Sequence, residues 1–137
     1  MQVLAGALLC VVPVAMTEAT VSGIAQYLWQ SRVLLLFAPD KDDPALVRQR
    51  RLVASAGAAM GERDLVLVEV TGAGPGDQAL RRRFGADAGQ FRAVLVGKDG
   101  GAKLSSAEPL LAERLIEVID AMPMRRGEAA SRRPGGR

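Results

Sequence analysis

Apolar positions along this chain follow two patterns, short unbroken runs and stripes at helical spacing. The segment Arg32-Val33-Leu34-Leu35-Leu36-Phe37 is apolar from Val33 onward without alternation. An alternating strand has one wet face, whereas a continuous run suits a strand buried on both faces, so this segment reads as a central strand with helices on either side. Leu65 to Val70 (LVLVEV) and Phe91 to Val96 (FRAVLV) read as two more strands. Between the first two, Ala45, Leu46, Leu52, Val53, Ala56, Ala59 and Met60 fall within roughly 140° of a helical wheel, and Arg48, Arg50 and Arg51 lie outside that arc. Pro44 suits the first turn of this helix with Asp43 as its N-cap, and Gly61 offers a left-handed residue to end it. Asp77 to Phe84 reads as a short helix with the basic stretch Arg81-Arg82-Arg83, closed by Gly85. Lys98-Asp99-Gly100-Gly101 holds the Asp-Gly pair of tight hairpins, with a returning strand through Lys103 and Leu104. Leu111, Leu115, Val118, Ile119 and Met122 form the clearest helical stripe, with Pro109 in the first turn, Ser105 and Glu108 placed for a capping box, and Pro123 as the stop. Ahead of the first strand, Thr20 to Gln30 carries Ile24, Leu28 and Trp29 at helical spacing, with Trp29 expected to pack against the sheet and Arg32 to mark the strand's end.

The predicted order is helix, strand, helix, strand, helix, strand, strand, helix. That is an α/β chain with a mixed sheet of about four strands between layers of helix, the order of a thioredoxin-like three-layer sandwich. Strands one and two would pair in parallel through a right-handed crossover, and the final hairpin would form the antiparallel part.

Composition then restricts the chemistry. The 137 residues include no histidine and a single cysteine, Cys10. Val3 to Met16 (VLAGALLCVVPVAM) is apolar but for Gly6 and Pro13, shorter than the about 20 residues a bilayer requires and of the length of a signal-peptide core. Thr17-Glu18-Ala19 provides small residues for cleavage, so residues 1–19 are expected to be a signal peptide and the mature chain to be periplasmic or secreted, without a transmembrane span. Leu9 immediately before Cys10 argues against a lipoprotein. Removal of Cys10 leaves a mature chain with neither thiol nor imidazole, so packing rather than disulfides must hold it together. The net charge of +3 is a property of the C-terminus, because Arg125 to Arg137 holds five of the 18 basic residues and one of the 15 acids, leaving −1 upstream. No basic face of the folded domain is implied, and nucleic acid is not an expected partner. The organisation expected is a domain over 20–124 and a basic, disordered tail over 125–137.

Two sequence blocks carry a family resemblance. Val96-Gly97-Lys98-Asp99-Gly100-Gly101-Ala102-Lys103 and Ile119-Asp120-Ala121-Met122-Pro123-Met124-Arg125-Arg126, with Trp29 and Arg32 ahead of the first strand, resemble a bacterial family of unknown function. That family looks related to the P-DUDES module of animal secreted and matrix proteins, regarded as thioredoxin-like. The resemblance covers Leu28 to Glu128 and implies export and a thioredoxin-like fold, but no reaction and no cofactor. In that fold the redox cysteines follow the first central strand. The matching positions, Pro39 to Pro44, hold Asp40, Lys41, Asp42 and Asp43 instead, and no proline stands at Gln90 to Arg92 where the facing cis-proline would be. Redox and thiolate-peroxidase chemistry are excluded.

Candidate binding residues remain, with no catalytic or metal-ligating set among them. Asp40, Asp42 and Asp43 with Lys41 sit at the end of a strand where ligands commonly bind, and three carboxylates have the chemistry of a hard-cation site. The simpler reading makes Asp43 a helix cap and the others solvated turn residues. Arg32 with Trp29 pairs a cation with an aromatic plane. Arg125 and Arg126 follow two adaptable methionines and are placed to meet nearby acids or an anionic partner. The function expected is an exported, non-redox module that binds a protein or envelope component. The alternative is a cysteine-independent, cation-dependent enzyme built on Asp40 to Asp43.

Overall fold

The computed structural model describes residues 24–132. The expected signal peptide with Cys10, residues 20–23 of the first expected helix, and the end of the tail from 133 lie outside the described residues. Four strands, β1 (Arg32–Phe37), β2 (Leu65–Val70), β3 (Arg92–Val96) and β4 (Ala102–Ser106), form one sheet in the order β2-β1-β3-β4. β1 runs parallel to β2, with Arg32 opposite Leu65 and Phe37 opposite Val70, and antiparallel to β3, with Val33 opposite Val96. β3 and β4 form the antiparallel hairpin, irregular between Leu95 and Val96. The mixed α/β sheet is compatible with a thioredoxin-like sandwich.

The unbroken run of β1 divides between two cores. Leu34 and Leu36 face a cluster with Leu46, Val53, Met60, Leu115 and Ile119, whereas Val33, Leu35 and Phe37 face Ile24, Val70, Leu80 and Val94 on the other side. Alternate side chains of a strand point to opposite faces, so only a strand covered twice needs apolar residues throughout. Burial of each such side chain stabilises the fold by about 1.5–3 kcal/mol before entropy is counted. The first cluster is covered by α1 (Pro44–Ala54), α2 (Gly57–Glu62) and α4 (Ala112–Asp120), and the second by α3 (Pro75–Phe84).

Several local expectations are corrected. The predicted helix from Pro44 to Met60 is two helices, parted at Ser55-Ala56, where the Ser55 hydroxyl donates to the Leu52 carbonyl at 2.8 Å. The left-handed residue after them is Asp64 (φ 53°) and not Gly61. Leu111 lies half in water, and the buried residue is its neighbour Leu110. α4 begins at Ala112, too late for a box from Ser105 and Glu108; the Ser106 hydroxyl bonds the Glu108 backbone instead. The amphipathic segment before β1 is reduced, within the described residues, to one 3-10 turn at Ala25–Tyr27. Trp29 does not pack on the sheet: it is 66% exposed in a left-handed conformation (φ 65°), and its backbone N–H donates to the Lys98 carbonyl at 2.7 Å.

The largest correction concerns the C-terminus. Pro123 ends α4 but opens α5 (Pro123–Arg132) in the stretch expected to be disordered. Proline cannot continue a helix, yet its fixed φ suits a first turn, where its missing N–H costs nothing. Part-buried charged contacts of Arg125 and Glu128 then hold α5 to the domain.

Candidate functional site

The acidic loop sits at the C-terminal end of β1, and the carboxylates of Asp40 and Asp43 serve local structure. Asp40 Oδ1 accepts from the Asp42 N–H at 2.8 Å, and Asp43 Oδ2 caps α1 by accepting from the Leu46 N–H at 3.2 Å. The Lys41 carbonyl accepts from Arg50, whose guanidinium also grips Glu69 through both carboxylate oxygens. The Glu69 carboxyl is held below its usual range by the hydrogen bond from Arg50, against the opposing effect of burial. Among the described residues, no three or more acids, cysteines or histidines stand together as a metal cage. At this same end Arg81, part of the basic stretch of α3, is buried and donates to the carbonyls of Gly72, Val70 and Ala38. Its guanidinium ties together the ends of β1 and β2, where a thioredoxin-like fold would place its chemistry.

Charge is concentrated at the opposite end of the sheet. Arg32, the first residue of β1, is fully buried (0% exposed). Its two terminal nitrogens meet the two carboxylate oxygens of Glu128 on α5 at 3.1 and 3.2 Å. One of them also donates to the Arg63 carbonyl at 2.8 Å, and Nε lies 3.4 Å from the Met122 sulfur. Lys98, 9% exposed in the β3–β4 turn, donates from Nζ to Glu128 at 2.6 Å and to Asp64 at 2.9 Å. Burial works to raise the Glu128 carboxyl, but the hydrogen bonds and positive charges of Arg32 and Lys98 outweigh it and hold that group below the usual range. A charge this far from water is tolerated only when paired and hydrogen-bonded, which is the state of all three side chains.

A second cluster adjoins the first. Asp120 receives two hydrogen bonds from Arg63, at 2.9 and 3.0 Å, and one from Arg125 at 3.3 Å. Arg63, ahead of the others, keeps the Asp120 carboxyl low. Arg125 is buried and donates to the Glu62 carboxylate at 2.9 Å. Arg126 is exposed beside a shallow hollow of about 270 Å³. Arg32 and Arg125 therefore have internal acid partners, and Arg126 faces outward.

Beside these clusters lies a cavity of about 470 Å³, within the usual range of small-ligand pockets. Val118, Ala121, Met122, Pro123 and Met124 supply apolar walls, and Arg32, Lys98, Asp99 and Lys103 supply the polar side. The turn that presents Lys98 is built by its neighbours. The Asp99 carboxylate accepts from the Gly101 N–H and from Lys103, which lower its pKa in that order, and Gly100 takes φ 84°, a left-handed conformation that favours glycine. Turn chemistry thus accounts for Asp99 and Gly100, while Lys98 points inward. The cavity assembles the Gly-Lys-Asp-Gly turn, the Met-Pro-Met segment and Arg32, which are far apart in sequence. Glu128 and Asp64 escaped the sequence reading because isolated acids in polar stretches carry no local signal. The arrangement is suited to holding an apolar group with an anion at one end.

Neither a curated protein nor a solved structure matches the chain. A family described as a domain of unknown function, DUF4174, matches residues 23–128, which run from the turn before β1 to Glu128, the carboxylate that completes the buried cluster. Most of the chain, including both sides of the cavity, is thus covered, and the protein belongs to the DUF4174 family.

Proposed function

We propose that this protein is an exported, non-redox thioredoxin-like module that binds a protein or envelope partner through the cavity at the Arg32 end of its sheet. The observation that carries the reading is the convergence of Arg32, Gly97 to Asp99 and Ala121 to Met124 on one apolar-walled cavity of about 470 Å³. A hairpin turn and a helix stop would each fold without a buried lysine or paired methionines, so the shared cavity gives these residues a common use. The apolar run Val3 to Met16 supports export, and the resemblance to the P-DUDES module of secreted animal proteins points the same way. A sequence without histidine, whose single cysteine is Cys10, supports binding over thiol or imidazole catalysis.

The test is capture of partners from a periplasmic extract by the wild-type protein, by Met124→Asp, and by Asp40→Ala/Asp42→Ala. Met124 lines the cavity and is half in water, so a charge there should abolish capture without disturbing the core. The loop variant should capture as the wild type does. Equal capture by Met124→Asp, or loss confined to the loop variant, would move the site to the acidic loop. Fractionation of cells should find the protein in the periplasm, shortened at its N-terminus.

A further inference from the structure

With the cavity as the binding site, as proposed above, the geometry points to a carboxylate subsite at Arg32 and Lys98 that the chain fills with its own Glu128, and to an apolar monocarboxylate as the ligand that takes Glu128's place. The resident carboxylate displays the recognition. Both of its oxygens are matched by the Arg32 fork, and Lys98 adds a third, shorter bond at 2.6 Å. Such bidentate geometry fits a carboxylate oxygen pair, as the resident Glu128 shows.

The cations do not depend on Glu128 for their positions. Arg32 belongs to β1 and is braced by the Arg63 carbonyl and the Met122 sulfur, and Lys98 is braced by Asp64. Removal of Glu128 would therefore leave a preorganised pair of donors on the rigid body of the fold. Glu128 is more loosely based. It sits on α5, none of whose residues belongs to either apolar cluster among the described residues. The docking of α5 rests on polar contacts, and a polar contact exchanges readily for an equivalent one.

Charge makes the exchange exclusive. With α5 docked, Arg32 and Lys98 face Glu128 and Asp64, so cations and anions balance. A second carboxylate beside Glu128 would put three anions on two cations in a poorly hydrated site, and ligand and Glu128 must therefore alternate. The cavity that Arg32 and Lys98 line is walled by Val118, Met122, Pro123 and Met124. An alkyl chain gains burial there that a bare anion does not, and the two methionines adapt to its shape. Ligand binding thus displaces Glu128 and loosens α5 beyond Met124, while Pro123 and Met124 stay as cavity wall.

The experiment titrates the protein with octanoate, using acetate and octanol as probes of the headgroup alone and the chain alone. Octanoate should bind the wild type more tightly than either fragment. Glu128→Gln, which removes the competing charge, should bind it at least about ten-fold more tightly, and Lys98→Met at least about ten-fold more weakly. In hydrogen exchange on the wild type, saturating octanoate should accelerate amides 126–131 while β1 and β3 stay protected. Equal affinity in the wild type and Glu128→Gln, octanol binding as well as octanoate, or slower exchange in α5 would each overturn the proposal. If Glu128→Gln does not fold, Lys98→Met and the exchange pattern decide. Loss of partner capture in Met124→Asp without octanoate competition would leave the partner site standing and remove only the ligand class. Octanoate competition with capture intact in Met124→Asp would do the reverse.

Discussion

Gln49 lies on the inner face of α1, fully buried at 0% exposure, and its side-chain amide bonds both backbone groups of Leu110, donating at 2.9 Å and accepting at 2.7 Å. It acts as a one-residue strand that ties α1 to the loop before α4. Gln49→Ala would leave the Leu110 N–H and carbonyl buried without partners, at a cost of about 2 kcal/mol or more. A lower urea midpoint at unchanged slope would report it. The sequence analysis passed over Gln49, because a polar residue within an amphipathic helix gives no local sign of burial and its partner Leu110 lies in a distant loop. Trp29 shows the converse. Its spacing with Ile24 suggested packing, but a left-handed turn locked to the Lys98 carbonyl swings it outward. As the chain's one tryptophan, it should give native emission close to that of the unfolded protein and be freely quenched by acrylamide. A blue-shifted, protected emission would contradict its exposure.

Elements with a local signal were legible. β1 declared itself by an unbroken apolar run, α1 by its Asp43 cap and Pro44, and α3 by its left-handed Gly85. α5 had no such signal. Gly, Arg, Ser and Ala with few apolar residues read as a tail, and its docking depends on Arg32 and Lys98, which are distant in sequence. Because α5 contributes to neither apolar cluster, its stability should separate from that of the sheet. Glu128→Ala is expected to raise amide exchange in α5 by about 100-fold or more while β1 and β3 change little. Uniform acceleration throughout the domain would instead show that α5 and the core unfold as one unit.

At the scale of the whole molecule, acid is the condition to which this fold should respond. The carboxyls of Glu128, Asp120, Glu69 and Asp99 are all held below their ordinary values. The unfolded chain therefore takes up protons at higher pH than the folded one, so stability from these groups is complete above the ordinary values of 4.5 and 3.8 and is lost as pH falls through the lower, folded ones. Thermal midpoints should be level from pH 7 to about 5 and decline steadily below about 4.5. With no histidine in the chain, no imidazole step is expected near pH 6, and a midpoint that fell there would refute this account. Added salt should weaken the exposed Arg50–Glu69 pair more than the Arg32–Glu128 pair, because only the former lies in screened solvent. The sequence by itself determined the succession of strands, the doubly covered central strand and the lack of any imidazole, since periodicity and residue inventory are local properties. Tertiary structure alone decided where the charge lies. The Asp40 to Asp43 loop became turn and cap, and the cavity formed at the other end of the sheet, because pairing of Arg32 and Lys98 with Glu128 is a contact between distant segments that exists only once the chain has closed on itself.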